Sequence, residues 1–286
     1  MSDYPDPLVE ALAEFGQKPT GNLDWDKALL DTLKRRNSAD AVYEALEIGN
    51  VLRRAEDDRR KAAQAFPDMA DPAIYQMHAR LFLYVANSIV LAPQNRPFVV
   101  DDDNRSVIRF LLLYFNKSRL AEDIFPDRRY KLHKNIMLQG PPGVGKTLLM
   151  QCFSEYLRRT SSPRFFHNLS VTQMVNYYTI HNNLDRYTFN EEDSKGFCPK
   201  PENVCLNDVG LNDDKVFYGM NTAVLTDDFL LARNDIWATY GKFAHITTNL
   251  TDAALTVRFS KGDKYQRIID RFKTYNVIPL TGTSRR

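Results

Sequence analysis

The octapeptide Gly140-Pro-Pro-Gly-Val-Gly-Lys-Thr147 matches the pattern G-x-x-x-x-G-K-[ST]. It stands directly after the apolar run Ile136-Met-Leu-Gln139 and opens onto an amphipathic segment reaching Arg159. That context predicts a strand, a tight phosphate-binding loop and a helix in succession. Small residues let consecutive backbone N–H groups curl around a phosphate, and the N-terminus of the following helix adds its partial positive charge. Gly140, Pro141, Pro142, Gly143, Val144, Gly145, Lys146, Thr147 and Leu148 are therefore the candidate phosphate-contacting residues. Lys146 would reach the β- and γ-phosphates of a nucleotide, and the Thr147 hydroxyl would ligate Mg²⁺.

From Asn135 onward, short apolar runs alternate with amphipathic stretches, the pattern of βα units around a parallel sheet. Strands are predicted at Asn135–Gln139, Arg164–Asn168, Val204–Asp208, Phe243–Thr248 and Tyr275–Leu280, with helices at Lys146–Arg159 and Met220–Tyr240. The expected fold class is α/β: a five-stranded parallel sheet carrying the loop, preceded by an all-helical N-terminal region. A loop of this kind needs acids on a neighbouring strand to hold Mg²⁺ and to orient water. Asn203-Val-Cys-Leu-Asn-Asp-Val-Gly210 fits, an apolar run turning polar at its C-terminal end, where parallel sheets bind ligands. Asp208 is its only carboxylate, and Asp213 and Asp214 are the next acids along the chain.

Before the loop the pattern is helical. Asp40–Arg60 places Val42, Leu46, Val51 and Leu52 at near-helical spacing, and Pro72–Val90 follows Asp71 as an N-cap with proline at the first helical position. A further helix is predicted at Asn104–Phe115. Ala92-Pro-Gln-Asn-Arg-Pro97 is the turn-rich boundary, so residues 1–95 are expected to form a helical partner-binding region and 96–286 the nucleotide-binding domain. Residues 1–70 carry a net charge of −4 and residues 258–286 a net of +6, the latter suited to phosphate or to a solvated face. A hydrophobic content of 43% excludes a disordered chain, and a net charge of +2 is too small to signal nucleic-acid binding. The longest apolar run, Leu81–Ala92, is broken by Asn87 and Ser88 and falls far short of the roughly 20 residues a membrane span needs. Met1–Glu10 lacks the basic-then-apolar order of a signal peptide, so no membrane partner and a cytoplasmic location are expected. Cys152, Cys198 and Cys205 have neither zinc-site nor disulfide spacing and are expected as reduced thiols.

With Asn203–Gly210 beside it, the glycine-rich loop resembles that of the AAA+ ATPases of the DnaC-like helicase-loader and IstB-like transposition-helper group. Those proteins show two acids, a hydrophobic residue and glycine after the apolar run; here Asn207 replaces the first acid and Asp208 remains. The resemblance implies ATP and Mg²⁺ as cofactors, Thr147, Asn207 and Asp208 at the metal, and Lys146 and Asp208 in hydrolysis. An amide accepts a hydrogen bond from metal-bound water but brings no charge, so weakened hydrolysis with retained nucleotide binding is expected. His245-Ile-Thr-Thr-Asn-Leu250 resembles the group's sensor strand, which assigns Asn249, with Thr248 second, to the γ-phosphate; a helix cap at Thr251 explains the same stretch. Arg267-Ile-Ile-Asp-Arg-Phe272 resembles the D-R-[LF] segment, implying that Arg271 contacts the nucleotide of a neighbouring subunit in a homo-oligomer; a solvated helix arginine is the other reading. Gly282-Thr-Ser-Arg285 resembles the group's G-x-S-x-R ending. The resemblance covers about half of the chain, from Lys134 on, and the first 95 or so residues carry no matching motif.

Between the second and third strands lies a polar, aromatic stretch: Tyr177, Tyr178, His181, Asn182, Asn183, Arg186, Tyr187 and Phe189. Bases stacked on the rings, with phosphates on Arg186 and Lys195, would suit single-stranded DNA. Asp185, Glu191, Glu192 and Asp193 count against it, and packing on the helical region is the alternative. The function the resemblance implies is ATP binding and hydrolysis coupled to remodelling or loading of a protein–DNA complex. A helicase loader would grip a replicative helicase through the helical region. The alternatives are a transposition helper that assembles on duplex DNA and directs a transposase, and a nucleotide-dependent binding switch with little turnover.

Overall fold

The computed structural model describes residues 5–35, 46–54, 66–188, 201–211, 213, 216–217, 220–260 and 266–285. The chain divides into two compact units, Met1–Phe66 and Pro67–Arg286. In the first, α1 (Asp6–Glu14) and α2 (Leu23–Arg35) pack through Leu8, Leu12, Leu29, Leu30 and Leu33. The fully buried Asp26 fixes the entry to α2, accepting from the Thr20 backbone N–H and hydroxyl, each at 2.9 Å. Residues 46–54 are helical too, while 40–45 and 55–60 of the helix expected there lie outside the described residues.

The second unit opens with α3 (Pro72–Val85), which runs on into a turn of π-helix at Ala86–Val90, and α4 (Asp102–Phe115). Both start where a side chain replaces the missing helical acceptors: Asp71 accepts from Ala73 N, and Asp101 with Asn104 makes a reciprocal capping box. Then come β1 (Asn135–Gln139), α5 (Lys146–Arg159), β2 (Phe166–Ser170), α6 (Val171–His181), α7 (Asp185–Thr188) and β3 (Asn203–Val209). After a two-stranded hairpin, β4 (Val216–Phe217) and β5 (Met220–Asn221), follow α8 (Thr222–Tyr240), β6 (Ala244–Thr248), α9 (Asp252–Ser260), α10 (Arg267–Arg271) and β7 (Tyr275–Pro279). The expected helix from Met220 starts two residues later because Met220 and Asn221 pair in the hairpin and Asn221 then caps α8 through Ala223 N.

The five expected strands form one parallel sheet in the order β2-β3-β6-β1-β7. Side chains alternate between faces. Ile136, Leu138, Cys205 and Ile278 meet α3, α4 and α5 on one side, while Met137, Leu206 and Ile246 meet α6, α8 and α9 on the other. From β1 the chain crosses past the positions of β6 and β3 to the edge strand β2, and it later returns to place β7 on the opposite side of β1. The loop after β1 therefore sits at the switch point of the sheet, where open α/β sheets bind ligands. No described helix is long and apolar enough to cross a membrane. Cys152 and Cys205 are buried free thiols, the first pushed up to about 12 by burial, and Cys198 lies outside the described residues.

The division at Phe66/Pro67 differs from the boundary expected at residue 95. Phe82 stacks on Phe153 with ring centroids 4.4 Å apart, and His78 Nδ1 lies 2.7 Å from the Tyr156 hydroxyl. Phe153 and Tyr156 belong to α5, so α3 is a layer of the α/β unit. The turn-forming run Ala92–Pro97 is a corner inside that unit.

His245 on β6 is fully buried among Phe115, Phe166 and Phe243, and its Nδ1 accepts the Ile136 N–H at 3.1 Å. Burial first, then Arg164 and Arg233, lower its pKa from 6.5 to about 3. Between those values the unfolded chain holds a proton that the folded chain does not, so stability must fall as pH drops through that window. His245→Asn keeps an acceptor for Ile136 N and removes the titration. The difference in urea midpoint between parent and variant should therefore change with pH below 6.5; parallel pH profiles would exclude a neutral buried imidazole.

Candidate functional site: a phosphate loop walled by the segment after the last strand

Gly140 to Thr147 takes the predicted course from the end of β1 into α5. Two glycines are required by close approach as much as by backbone conformation. A Cβ on Gly140 would lie 2.0 Å from Leu280 O, and one on Gly143, at φ 86°, would lie 2.4 Å from Ser284 Oγ. Residues 280–285 thus run over the loop, held by Leu280 N to Gln139 O at 2.7 Å and Arg285 N to Gly143 O at 2.9 Å.

Lys146, only 4% exposed, folds back across the loop mouth. Its ammonium donates to Gly140 O (2.6 Å), Pro141 O (2.8 Å) and Asn249 Oδ1 (2.7 Å). The candidate sensor at the end of β6 therefore meets the candidate lysine directly. Thr248 is spent elsewhere: it is fully buried and its hydroxyl donates to Val209 O at 2.8 Å. Thr251 accepts from Ala254 N at 3.3 Å, so the helix cap is present beside the contact between Asn249 and Lys146.

Asp208 reaches the same place through an irregularity. The register of β3 against β6 shifts between Leu206 and Val209, and Asp208 adopts φ 62° with its N–H on Thr247 Oγ1 at 3.0 Å. A bulge of this kind re-aims one side chain, and Asp208 lines a cavity of about 170 Å³ with Pro142, Lys146, Thr147, Asn249, Arg96 and Arg285. Asn207 points elsewhere. It is 2% exposed, its amide donates to Asn168 Oδ1 (3.2 Å) and Leu169 O (3.5 Å), and its Oδ1 accepts from Thr247 Oγ1 (3.3 Å). Asn207, Thr247 and Asp208 form a relay in which the amide holds the hydroxyl that holds the Asp208 backbone.

Thr147 and Asp208 on one cavity suit Mg²⁺, which takes one or two protein oxygens and fills its remaining positions with water and phosphate. Among the described residues no three His, Cys, Asp or Glu assemble into a metal-holding group. Asp213 is ion-paired with Arg258, which also meets Asp227 at 2.9 Å, and Asp214 lies outside the described residues. Arg271, on α10, lies 3.5 Å from Asp235 and does not line the cavity of its own chain.

A second cavity of about 370 Å³ adjoins the first and shares Arg96, Gly145, Leu148 and Arg285 with it. Leu91, Pro97, Phe98, Val99, Val144 and Leu280 make it mainly apolar, a shape and chemistry suited to a nucleobase. Val144, Gly145 and Leu148 are among the candidate loop residues, whereas Arg96, Asp101 and the rest of the 91–104 wall carry turn signals and no ligand motif. Asp101 takes both terminal nitrogens of Arg285, at 2.6 and 2.9 Å, which holds its carboxyl below the usual carboxylate range and raises the guanidinium. Arg96 Nη1 donates to Arg285 O at 2.6 Å.

The aromatic stretch lies apart from the loop. Tyr177 meets Tyr187 edge-on at 5.0 Å, Arg186 sits over Tyr187 at 5.9 Å, and Tyr177, Tyr178 and Tyr187 pack on the core beside α6 and α8. Tyr177, Arg186 and Tyr187 also line a cavity of about 690 Å³ with His167 and Arg233. Phe189, Glu191, Glu192, Asp193 and Lys195 lie outside the described residues.

No family model matches the chain, and no curated protein does. Several solved structures are similar to it, three of which follow. Domain III of the Thermotoga maritima replication initiation protein DnaA shares 16% identity over 64% of this chain and 65% of that one, with TM-score 0.43. A Streptococcus pyogenes serotype M3 protein described as a primosome component shares 14% identity over 66% and 85%, with TM-score 0.39. AMPPCP-bound DnaA from Aquifex aeolicus shares 14% over 64% and 48%, with TM-score 0.39. The chain thus spans less than two thirds of either DnaA chain, and its fold rests on the strand order and loop described above.

Proposed function

We propose that this chain is an ATP-binding protein of the AAA+ type that acts on a protein–DNA complex, as a helicase loader in the first instance. The observation that carries nucleotide binding is the buried Lys146 ammonium, held at the loop mouth by two loop carbonyls and Asn249, with Thr147 and Asp208 on the same cavity. The loop N–H groups and Lys146 bind the terminal phosphates, Asn249 orients Lys146 and senses the γ-phosphate, and the adjoining apolar cavity takes the base. Thr147 and Asp208 would hold Mg²⁺, which when bound offsets phosphate charge. Asp208 also orients the attacking water. Arg271 belongs to the site of a neighbouring subunit in a homo-oligomer, and the helical first unit serves a replicative helicase. A transposition helper working with a transposase on DNA shares all of these parts.

One observation favours a second reading, a nucleotide-dependent switch with little turnover. Asp208 is the only carboxylate among the described residues lining the phosphate cavity, so one group must serve both metal and water. The decisive measurement for nucleotide binding is titration with a fluorescent ATP analogue. Lys146→Ala removes a charge-assisted donor of about 1.5–3 kcal/mol, so affinity should fall by about tenfold or more; since Gly140 O, Pro141 O and Asn249 lose the same donor, a native circular dichroism spectrum must accompany the loss. Equal affinity in parent and variant would remove the loop from the site.

A further inference from the structure

Two guanidiniums face the phosphate cavity beside Lys146: that of Arg96, which lies in no motif, and that of Arg285, which closes the Gly282–Arg285 ending without an assigned role. Each keeps its Nε buried with no hydrogen-bond partner among the described residues. A buried donor left unmade is costly, and a ligand oxygen removes that cost. Their other nitrogens are not idle: Arg96 donates to Arg285 O, and Arg285 is clamped by Asp101. The clamp holds the segment 280–285 against Gly140 and Gly143 and offsets one of the three cations, Arg96, Lys146 and Arg285, that line the cavity with Asp208.

We propose that Arg96 and Arg285 are ligands, supplied by the same chain, for the phosphates of the nucleotide, and that bound nucleotide latches the segment 280–285 over the loop. This inference rests on the nucleotide-binding reading above and adds to it the residues that offset the polyphosphate charge and an element that responds to it. The chemistry follows from the count of charges. A nucleoside triphosphate brings about four negative charges, while the loop offers one ammonium and oriented N–H groups. Two guanidiniums with spare donors on the same cavity complement the remainder, and planar forks suit phosphate oxygens. Asp101 then acts as the resting partner of Arg285, competing with phosphate for it.

That competition separates a phosphate ligand from a merely structural strap. Asp101→Asn keeps an oxygen to cap α4, since asparagine caps as well as aspartate, yet removes the charge that occupies Arg285. Fluorescent ATP analogue would be titrated against the full chain, Arg285→Ala, Arg285→Lys, Arg96→Ala, Asp101→Asn and Lys146→Ala, with thermal midpoints recorded for each. Expected are losses of about tenfold in Arg285→Ala and Arg96→Ala, partial recovery in Arg285→Lys, and unchanged or tighter binding in Asp101→Asn. The losses should shrink as salt rises, because screened charges contribute less. Asp101→Asn weakening binding as much as Arg285→Ala would make the pair a structural strap and overturn the proposal. Parent-like binding by both arginine variants while Lys146→Ala loses affinity would overturn it and leave the nucleotide reading standing. Absence of binding by the parent chain would remove both. If Arg285→Ala lowers the midpoint too far to titrate, Arg96→Ala and Arg285→Lys decide by the same criteria.

Discussion

A chain beginning at Pro67 should fold as a cooperative unit, whereas one beginning at Arg96 should fail to fold. Residues 67–95 supply Met69, Phe82, Val85 and Leu91, all at most 3% exposed, to the second unit. At about 1.5–3 kcal/mol for each such side chain, their burial contributes about 6–12 kcal/mol, as much as the whole stability of an ordinary domain. Their removal also bares Phe153 and Tyr156 and takes His78 from the Tyr156 hydroxyl. Circular dichroism and urea unfolding of the two truncations decide the matter. A folded, cooperative protein starting at residue 96 would restore the boundary that the prolines at 93 and 97 suggest.

Asn207→Asp should destabilise the protein by about 2–4 kcal/mol without raising ATP turnover. A carboxylate has no N–H, so Asn168 Oδ1 and Leu169 O lose their donor and face another acceptor. None of the side-chain amide's hydrogen-bond partners, Asn168, the Leu169 carbonyl, the Thr247 hydroxyl and the Cys205 thiol, carries a positive charge. The introduced carboxyl therefore stays protonated in the fold above the pH at which it ionises in the unfolded chain. With more protons bound in the folded state, stability falls as pH rises through that window, so the loss is larger at neutral than at acidic pH. Thr247→Val should share part of the effect by freeing the Asp208 backbone. An unchanged melting temperature together with faster hydrolysis in Asn207→Asp would place position 207 at the metal after all.

These two cases mark where sequence reasoning reached its limit. The loop was legible because it is a local object: eight consecutive residues, Gly140–Thr147, carry the glycines, lysine and hydroxyl that a phosphate cradle needs, between an apolar run and an amphipathic one. The strands were legible for the same reason, since a short apolar run is written in consecutive residues, and their ends fall within two residues of expectation. Asn207 was not, because a side chain's target depends on what the neighbouring strand presents. Asn168 and Thr247, each 39 or 40 residues away, meet it only through the pairing of β2, β3 and β6.

The same holds for the rest of the site. Lys146 and Asn249 lie 103 residues apart, and Asp101 and Arg285 lie 184 apart. No spacing rule links such positions, because strand order, β2-β3-β6-β1-β7, and not chain distance places β6 and β7 on either side of β1. Composition and periodicity specify which segments must be strands or helices, each bearing an apolar face to bury. Which faces meet is settled by packing the whole, and that packing turned an expected domain boundary into a wall of the cavity beside the glycine-rich loop and the segment after β7 into the cover of that loop.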